Sequence, residues 1–171
     1  MAWVVLTGYM GAGKSTVGRA LAERLGRPLV DSDAVIEEDA GMPIPRIFAT
    51  KGELWFRRTE ERLIREVLAG TPEGVLAVGG GAVESARTRD LLRRVAEVVW
   101  LRAEPEELWR RVAGTGRPLA TDEDRFARRH ARRVPLYEEV ADLTVDATDP
   151  PEESAARIAG WHAARPGGVA Q

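Results

Sequence analysis

The stretch Gly8-Tyr-Met-Gly-Ala-Gly-Lys-Ser15 decides the fold of this chain, because it satisfies the pattern G-x-x-x-x-G-K-[ST]. It lies between an apolar run at Trp3–Leu6 and an amphipathic helical pattern at Lys14–Leu25. Glycines in such a loop let successive backbone N–H groups point inward at phosphate oxygens, and the start of the helix adds its positive dipole end. The motif therefore predicts a P-loop that holds the phosphates of a nucleotide.

Two side chains of this loop have expected roles of their own. Lys14 reaches the β- and γ-phosphates, and the Ser15 hydroxyl is a ligand for Mg²⁺. The residues expected to contact the nucleotide are Gly11, Ala12, Gly13, Lys14, Ser15 and Thr16. A glycine-rich turn without a ligand is the alternative. Lys14 is one of only two lysines among 25 basic residues, which favours the functional interpretation.

Short apolar runs alternate with helical patterns along the rest of the chain. The further predicted strands are Pro28–Val30, Val75–Val78, Val98–Leu101 and Leu143–Val145. Their continuous apolar character is typical of parallel strands buried on both faces. Helices are predicted at Glu53–Leu68, at Ser85–Arg94 with Ser85 as the N-cap, and after Pro105 and Pro151. Repeated βα units predict an α/β fold with a doubly wound parallel sheet, in one domain over residues 1–171.

Two stretches break this alternation. Ala113–Asp124 is rich in Gly, Pro and charge and has few apolar residues, so we predict a mobile lid. Arg117 in this lid can swing over a transferring phosphoryl group and neutralise its developing charge, although a solvated arginine is the alternative. Arg165–Gln171 is predicted to be a frayed tail without function.

Composition excludes several classes of protein. The formal net charge of −2 gives no general electrostatic attraction to nucleic acid or to an anionic membrane, and the absence of cysteine excludes disulfides. No apolar run approaches the roughly 20 residues that span a bilayer, and the N-terminus lacks the charged start of a signal peptide. We therefore expect a cytoplasmic protein with no nucleic-acid or membrane partner.

Two carboxylates follow the second predicted strand, at the edge where ligands of open α/β sheets bind. Many P-loop hydrolases carry another strand that ends in a metal-binding aspartate, but the strands before Gly79 and Arg102 end without one. Asp31 is therefore the best candidate to support Mg²⁺. Asp33, on the opposite side of an extended chain, would face an acceptor hydroxyl. The alternative is a turn or an N-cap for a helix that starts near Ala34, a role that Asp33 could also serve.

Glu53, Arg57 and Glu60 are spaced so that they share one face of the predicted helix. A guanidinium held between two carboxylates is oriented, and its fork can bind a substrate carboxylate through two hydrogen bonds. Ordinary ion pairs on a solvated face are the alternative.

The glycine triplet Gly79-Gly80-Gly81 directly follows the third strand. We interpret it as bare backbone that a substrate can approach closely. Arg133 precedes Pro135 near the end of a helix, but its arginine neighbours prevent its assignment from composition alone.

Taken in order, these motifs resemble the shikimate kinase family, a branch of the nucleoside-monophosphate-kinase-like P-loop proteins. The resemblance covers about residues 4–158, and its carriers are GYMGAGKSTVGRALAERLG, D-S-D, IFATKGELWFRRTEE, VGGGAV, RPL and R-x-P-L-Y. It implies a three-layer P-loop fold with a five-stranded parallel sheet of order 2-3-1-4-5, helices on both faces and a mobile lid. Residues of about 32–62 would form the acceptor-binding subdomain.

The family's site residues map onto this chain position by position. The resemblance implies that Asp33 holds the shikimate hydroxyls and accepts the proton of the attacking one. Arg57 and Arg133 would bind the carboxylate, with Glu60 steadying Arg57 and with Gly79 and Gly80 adding backbone contacts. The remaining implied assignments are Arg117 on the ATP phosphates, Arg110 on the adenine, and Asp31 with Ser15 on Mg²⁺.

The function implied is an ATP-dependent, Mg²⁺-requiring kinase that phosphorylates the 3-hydroxyl of shikimate and works as a monomer on small molecules. Pro43 and Pro45 depart from the usual start of a helix in this family, and we expect only a local change in its direction. A gluconate-type or other small hydroxy-acid kinase is the nearest alternative. An ATP-binding switch protein is a second one, but it leaves the arginines and the glycine triplet unexplained.

Overall fold

The computed structural model describes residues 3–70, 73–116 and 118–165. Five strands run through it: β1 (Trp3–Thr7), β2 (Leu29–Asp31), β3 (Val75–Ala77), β4 (Ala96–Arg102) and β5 (Leu143–Asp146). All four strand pairings are parallel, and the order across the sheet is β2-β3-β1-β4-β5. The structure thus confirms the predicted fold class and strand order, with strand ends that differ from the predicted ones by at most two residues.

Eight α-helices and one short 3-10 helix connect the strands in the described part of the chain. They are α1 (Lys14–Leu25), α2 (Ser32–Ala40), α3 (Ile44–Lys51), α4 (Glu53–Gly70), the 3-10 helix (Ala82–Glu84), α5 (Ala86–Val95), α6 (Pro105–Val112), α7 (Glu123–Val140) and α8 (Pro151–Ala163). Ser85 caps α5 as predicted, since its hydroxyl accepts a hydrogen bond from the N–H of Thr88 at 3.2 Å. Pro45 lies in the first turn of α3, where a missing N–H has no cost.

Two sequence-based expectations are wrong at helix ends. Asp122 caps α7 by accepting from the N–H of Arg125 at 2.7 Å, so Glu123 and Asp124 belong to the helix and the irregular segment ends earlier than residue 124. Arg133 was expected near the end of a helix, but α7 continues through Pro135 to Val140. Arg133 is therefore held in the middle of a long helix.

The main hydrophobic core lies between the sheet and its helices. The strands β1 and β3 are buried along their whole length, and α1 and α8 pack against each other while α5 packs against α4 and α7. A second, smaller cluster joins α2, α3 and α4 through the buried side chains of Ile36, Ile47 and Phe56. This separate packing gives the helices after β2 a small core of their own.

The irregular segment between α6 and α7 is attached at its C-terminal part. Arg129 donates a hydrogen bond to the carbonyl of Leu119 at 3.1 Å, and Ala120 is buried. Gly114 and Gly116 have positive φ angles of 76° and 72°. The segment therefore has more contacts near residue 120 than its composition indicates. Its N-terminal half contains the two glycines, whose backbone has the wider range of accessible angles.

The tail prediction falls mostly outside the described residues, which end at Arg165. The Arg165 guanidinium lies 3.5 Å from the carboxylate of Glu97 and 4.7 Å from the ring centre of Trp161. The prediction of a frayed tail therefore stays a prediction for residues 166–171.

Two helical glycines test the packing of α1 and α8. A Cβ on Gly160, which is exposed in α8, would meet nothing within 4 Å, so Gly160→Ala should stabilise the protein by about 0.5–1 kcal/mol through backbone entropy. The control is Gly18→Ala in α1, where the new Cβ would lie 3.1 Å from a methyl of Leu29. Urea denaturation should show a gain for the first variant only, and equal gains would contradict the described packing.

Candidate active site

The loop between β1 and α1 has backbone angles that only glycine adopts readily. Gly8, Gly11 and Gly13 have φ angles of 145°, 87° and 85°. A Cβ at Gly8 would lie 2.5 Å from the carbonyl oxygen of Leu101, and one at Gly11 would lie 2.9 Å from a methyl of Val112. The loop is thus pressed against the end of β4 and against α6, which fixes the curl predicted for a P-loop.

Lys14 extends along this loop. Its ammonium donates to the carbonyls of Gly8 at 2.8 Å and Tyr9 at 3.1 Å. Arg111 of α6, which sequence reasoning missed, donates to the carbonyl of Gly11 at 3.0 Å and is itself paired with Glu107 at 3.1 Å. Two cations therefore bind carbonyls of the loop, and a loop in this conformation can offer N–H groups to an anion.

Ser15 and Asp31 are in direct contact, because the Ser15 hydroxyl donates to the Oδ2 of Asp31. The Oδ1 of the same carboxylate accepts from the N–H groups of Asp33 at 3.1 Å and Ala34 at 3.3 Å. Asp31 is therefore the N-cap of α2, and the expectation of a cap at Asp33 is wrong. The expectation of an extended chain at Asp33 is also wrong, since Asp33 lies in the first turn of the helix.

One cleft of about 430 Å³ brings most of the predicted site residues together. Its walls include Lys14, Ser15, Asp31, Asp33, Arg57, Gly79, Gly80 and Arg133. Thr115, Gly116, Pro118 and Leu119, from the segment predicted to be a lid, also line it. The P-loop and the acidic and basic side chains of the predicted acceptor side thus face one space.

Arg57 and Glu60 form a close ion pair at the wall of this cleft. The Nη1 of Arg57 donates to the Oε2 of Glu60 at 2.6 Å, and Glu53 lies 3.7 Å from its Nε. Glu60 is 1 % exposed, and burial raises the pKa of its carboxyl although Arg57 lowers it. The predicted pairs of Arg57 with both carboxylates are present, and the tighter pair is the buried one.

The glycine triplet has a packing role that differs from the predicted one. A Cβ at Gly79 would lie 2.1 Å from the Oε1 of Glu60, and one at Gly81 would lie 2.3 Å from the Cζ of Arg57. The N–H of Gly79 donates to the Ser32 hydroxyl at 3.1 Å. The Ser32 hydroxyl therefore satisfies this N–H, and the expected contact of Gly79 and Gly80 with a substrate stays a prediction. The bare backbone admits Arg57 and Glu60 themselves.

Arg133 is almost completely buried, with 1 % of its side chain exposed. Its Nε and Nη2 each donate to one oxygen of Glu84 at 3.1 Å, and its Cζ lies 5.3 Å from the ring centre of Tyr9. Tyr137, one turn further along α7, donates from its hydroxyl to the carbonyl of Gly80 at 2.6 Å. Sequence reasoning missed Tyr9 and Glu84, which no local spacing links to Arg133, and it gave no role to Tyr137 of the R-x-P-L-Y motif.

Among the described residues, the predicted nucleotide contacts that do not line this cleft are Gly11, Ala12, Gly13, Thr16 and Arg110. Arg117 lies outside the described residues. Arg110 is largely exposed, pairs with Glu107 at 2.7 Å, and lines a second cleft of about 590 Å³. Arg102 and Asp146, the last residues of β4 and β5, line that cleft as well. It therefore lies at the carboxyl ends of the strands, where nucleotides bind in open α/β folds.

Comparison with known proteins gives consistent matches. A family model for shikimate kinase matches residues 10–162. A shikimate kinase from Symbiobacterium thermophilum is 46% identical over 148 residues, which are 83% of this chain and 84% of that protein. The solved shikimate kinase from Acinetobacter baumannii, in complex with shikimate, superposes with a TM-score of 0.87 at 38% identity and covers 92% of this chain and 90% of that one.

A solved gluconokinase from Sinorhizobium meliloti is relevant to the alternative that this chain is a gluconate-type kinase. It superposes with a TM-score of 0.55 at 21% identity and covers 92% of this chain and 93% of that one. A likeness at this level shows a shared fold and no more.

The sheet order, the P-loop between β1 and α1 and the cleft at the carboxyl ends of the strands define a P-loop kinase of the nucleoside-monophosphate-kinase-like class. The family model matches most of the chain, and the sequence identity to a shikimate kinase is high, so the family can be named as well. The chain belongs to the shikimate kinase family, which consists of ATP-dependent phosphotransferases. No helix in the described part of the chain is long and apolar enough to cross a membrane.

The raised pKa of Glu60 predicts a pH dependence of stability. Because burial raises this pKa above 4.5, the stability contributed by Glu60 is fully present below that pH and is lost as the pH rises through the raised value. The side chain of Glu60→Gln has no proton to lose, so its free energy of unfolding should rise relative to that of the unaltered protein as the pH rises from below 4.5 through the raised pKa of Glu60.

Urea denaturation across this range measures the difference, with the neighbouring variant Glu61→Gln as the control for removing a less buried carboxylate of α4. If the free energy of unfolding of the unaltered protein instead rose relative to that of Glu60→Gln as the pH rises, Arg57 would lower the pKa of Glu60 below its usual value.

Proposed function

We propose that this chain transfers the γ-phosphoryl group of ATP to the 3-hydroxyl of shikimate, giving shikimate 3-phosphate and ADP. The observation that carries this proposal is the single cleft in which Lys14 and Ser15 of the P-loop face Asp33, Arg57 and Arg133. One wall has the chemistry to bind phosphates, and the other has a carboxylate and two guanidinium groups. An acceptor with both hydroxyls and a carboxylate fits that second wall.

On the nucleotide side, the P-loop N–H groups of residues 11–16 and the start of α1 would hold the phosphates. Lys14, which donates to two loop carbonyls, would turn its ammonium to the β- and γ-phosphates. Arg110 lines the second cleft and would pack against the adenine. Arg117 would stabilise the charge of the transferring group.

The residues at the start of α1 and the end of β2 fit Mg²⁺. The Ser15 hydroxyl and the Asp31 carboxylate oxygen that accepts its hydrogen bond are adjacent hard oxygen donors, as this cation requires. Ser15 would be a direct ligand, and Asp31 would act through water. When bound, the cation neutralises charge on the β- and γ-phosphates. No group of three or more His, Asp or Glu side chains offers a metal cage in the described residues, which suits a cation shared with phosphate.

On the acceptor side, Asp33 would hold the shikimate hydroxyls and accept the proton of the attacking one. Its place in the first turn of α2 is fixed by the cap that Asp31 provides. Arg57 and Arg133 would bind the carboxylate, and Glu60 would orient Arg57. Gly80, whose carbonyl is bonded to Tyr137, would contribute a backbone contact. These groups orient the 3-hydroxyl toward the γ-phosphorus.

The subdomain boundaries of about 32–62, the monomeric state and the cytoplasmic location stay predictions. The small core shared by α2, α3 and α4 supports the first of these.

Arg57→Ala tests the assignment of the acceptor side. Loss of a charge-assisted, two-point contact should weaken shikimate binding by roughly 2–4 kcal/mol, while affinity for an ATP analogue should hardly change. Arg58→Ala, which removes an exposed arginine of the same helix turn, is the matched control and should leave both affinities unchanged. Separate titrations with shikimate and with the ATP analogue measure the two effects. Normal shikimate binding with lost ATP binding would mean that the two sides are assigned the wrong way round.

The predicted lid gives a second test. Residues 113–116, before the anchorage at Leu119 and Ala120, should exchange their amide hydrogens faster in the free protein than when nucleotide and shikimate are both bound. Hydrogen-exchange mass spectrometry on the free, singly liganded and doubly liganded protein measures this. Identical exchange in all three states would exclude a closing lid.

A further inference from the structure

Glu84 meets Arg133 in a geometry that fixes a guanidinium. Both oxygens of its carboxylate accept hydrogen bonds at 3.1 Å, one from Nε and one from Nη2 of Arg133. Such two-point pairs of charged groups hold the plane and the rotation of the guanidinium as well as its position. Glu84 thereby determines which edge of Arg133 faces the protein and which edge is left for the cleft.

The burial of Arg133 makes this orientation necessary. Its side chain is 1 % exposed, whereas that of Glu84 is 32 % exposed. A guanidinium this buried without its counter-charge would have to move or draw in water. Burial alone would raise the pKa of Glu84, but hydrogen bonds and charge from Arg133 lower it overall, so the carboxylate stays ionised at neutral pH.

The backbone around Glu84 is held rigidly. Its N–H donates to the carbonyl of Gly81 at 3.0 Å, which closes the 3-10 helix directly after the glycine triplet. Arg89 donates to the carbonyls of Val83 at 2.8 Å and Glu84 at 3.3 Å. The guanidinium of Arg57 lies where a Cβ of Gly81 would be. The short segment from Gly81 to Glu84 therefore contacts both arginines of the acceptor side.

We infer that Glu84 is a positioning residue for the acceptor carboxylate, acting through Arg133: it presents one edge of that guanidinium to the cleft and keeps the other edge from binding the substrate. This inference rests on the proposed function. It makes Glu84 the counterpart of Glu60, so that each carboxylate-binding arginine has its own orienting glutamate. The role of Glu84 is in affinity for the acceptor and not in the transfer step.

Glu84→Gln tests the inference with little change of shape. A neutral amide cannot accept both hydrogen bonds, so Arg133 loses its fixed plane, and we expect the KM and Kd for shikimate to rise about 5- to 10-fold with kcat and the Kd for an ATP analogue within about 2-fold. Glu61→Gln, which removes a carboxylate bonded to Ser85, is the matched control and should change neither constant. The Kd values come from calorimetric titration and also show whether each variant is folded.

A double-mutant cycle separates positioning through Arg133 from a general structural effect. In the Arg133→Met background, which keeps an unbranched side chain but removes the guanidinium, Glu84→Gln should change the Kd for shikimate by less than about 2-fold. An equal effect in both backgrounds would overturn the inference, as would a fall in Kd when Glu84 is neutralised. If the unaltered protein releases ADP with shikimate, either result refutes the role of Glu84 alone. If it does not, the proposed function fails and this inference fails with it.

Discussion

The absence of side chains at Gly79, Gly80 and Gly81 is the constraint on which the rest of the site depends. At this point, just after β3, the chain is close enough for four other elements to touch its backbone. The Arg57 and Glu60 side chains of α4 lie where Cβ atoms would be, Ser32 of α2 bonds the first glycine, and Tyr137 of α7 bonds the second. The carbonyl of Gly8 lies 3.1 Å from where the Cβ of Gly80 would be. The turn at Gly79–Gly81 thereby fixes the position of the P-loop relative to the acceptor side.

This arrangement contains two ion pairs in the described part of the protein, and each pair has one almost completely buried member. Glu60 and Arg133 are each 1 % exposed, and each is paired with a less buried partner of opposite charge, Arg57 and Glu84 respectively. Buried ion pairs contribute little net stability, but breaking one leaves an unpaired charge in a medium of low dielectric. Their use here is to hold two guanidinium groups in fixed orientations at the wall of a cleft, ready for a carboxylate.

Much of this was predictable from sequence, because much of it is local. The P-loop, the buried parallel strands, the cap at Ser85 and the proline-initiated helices all depend on residues a few positions apart. The link between Arg133 and Glu84 spans 49 positions, and the contact of Glu60 with Gly79 also joins separate elements, so no spacing rule encodes either. The cap of α2 could not be assigned from the sequence for another reason, since Asp31 and Asp33 are two positions apart and aspartate at either favours a cap. The glycine triplet is visible in the sequence, but only the structure shows that the side chains of Arg57 and Glu60 occupy part of its bare surface.

The proposed reaction transfers a phosphoryl group, within this cleft, from ATP to an acceptor that carries both a carboxylate and hydroxyls. The most direct measurement is ADP release by the unaltered protein with Mg²⁺·ATP and a panel containing shikimate, gluconate and shikimate methyl ester, with the product examined by phosphorus NMR. We expect rapid turnover of shikimate alone, a phosphoryl group on its 3-hydroxyl, and a large rise in KM for the ester, which lacks the charge that Arg57 and Arg133 would bind. Turnover of gluconate without turnover of shikimate, or equal use of shikimate and its ester, would contradict it.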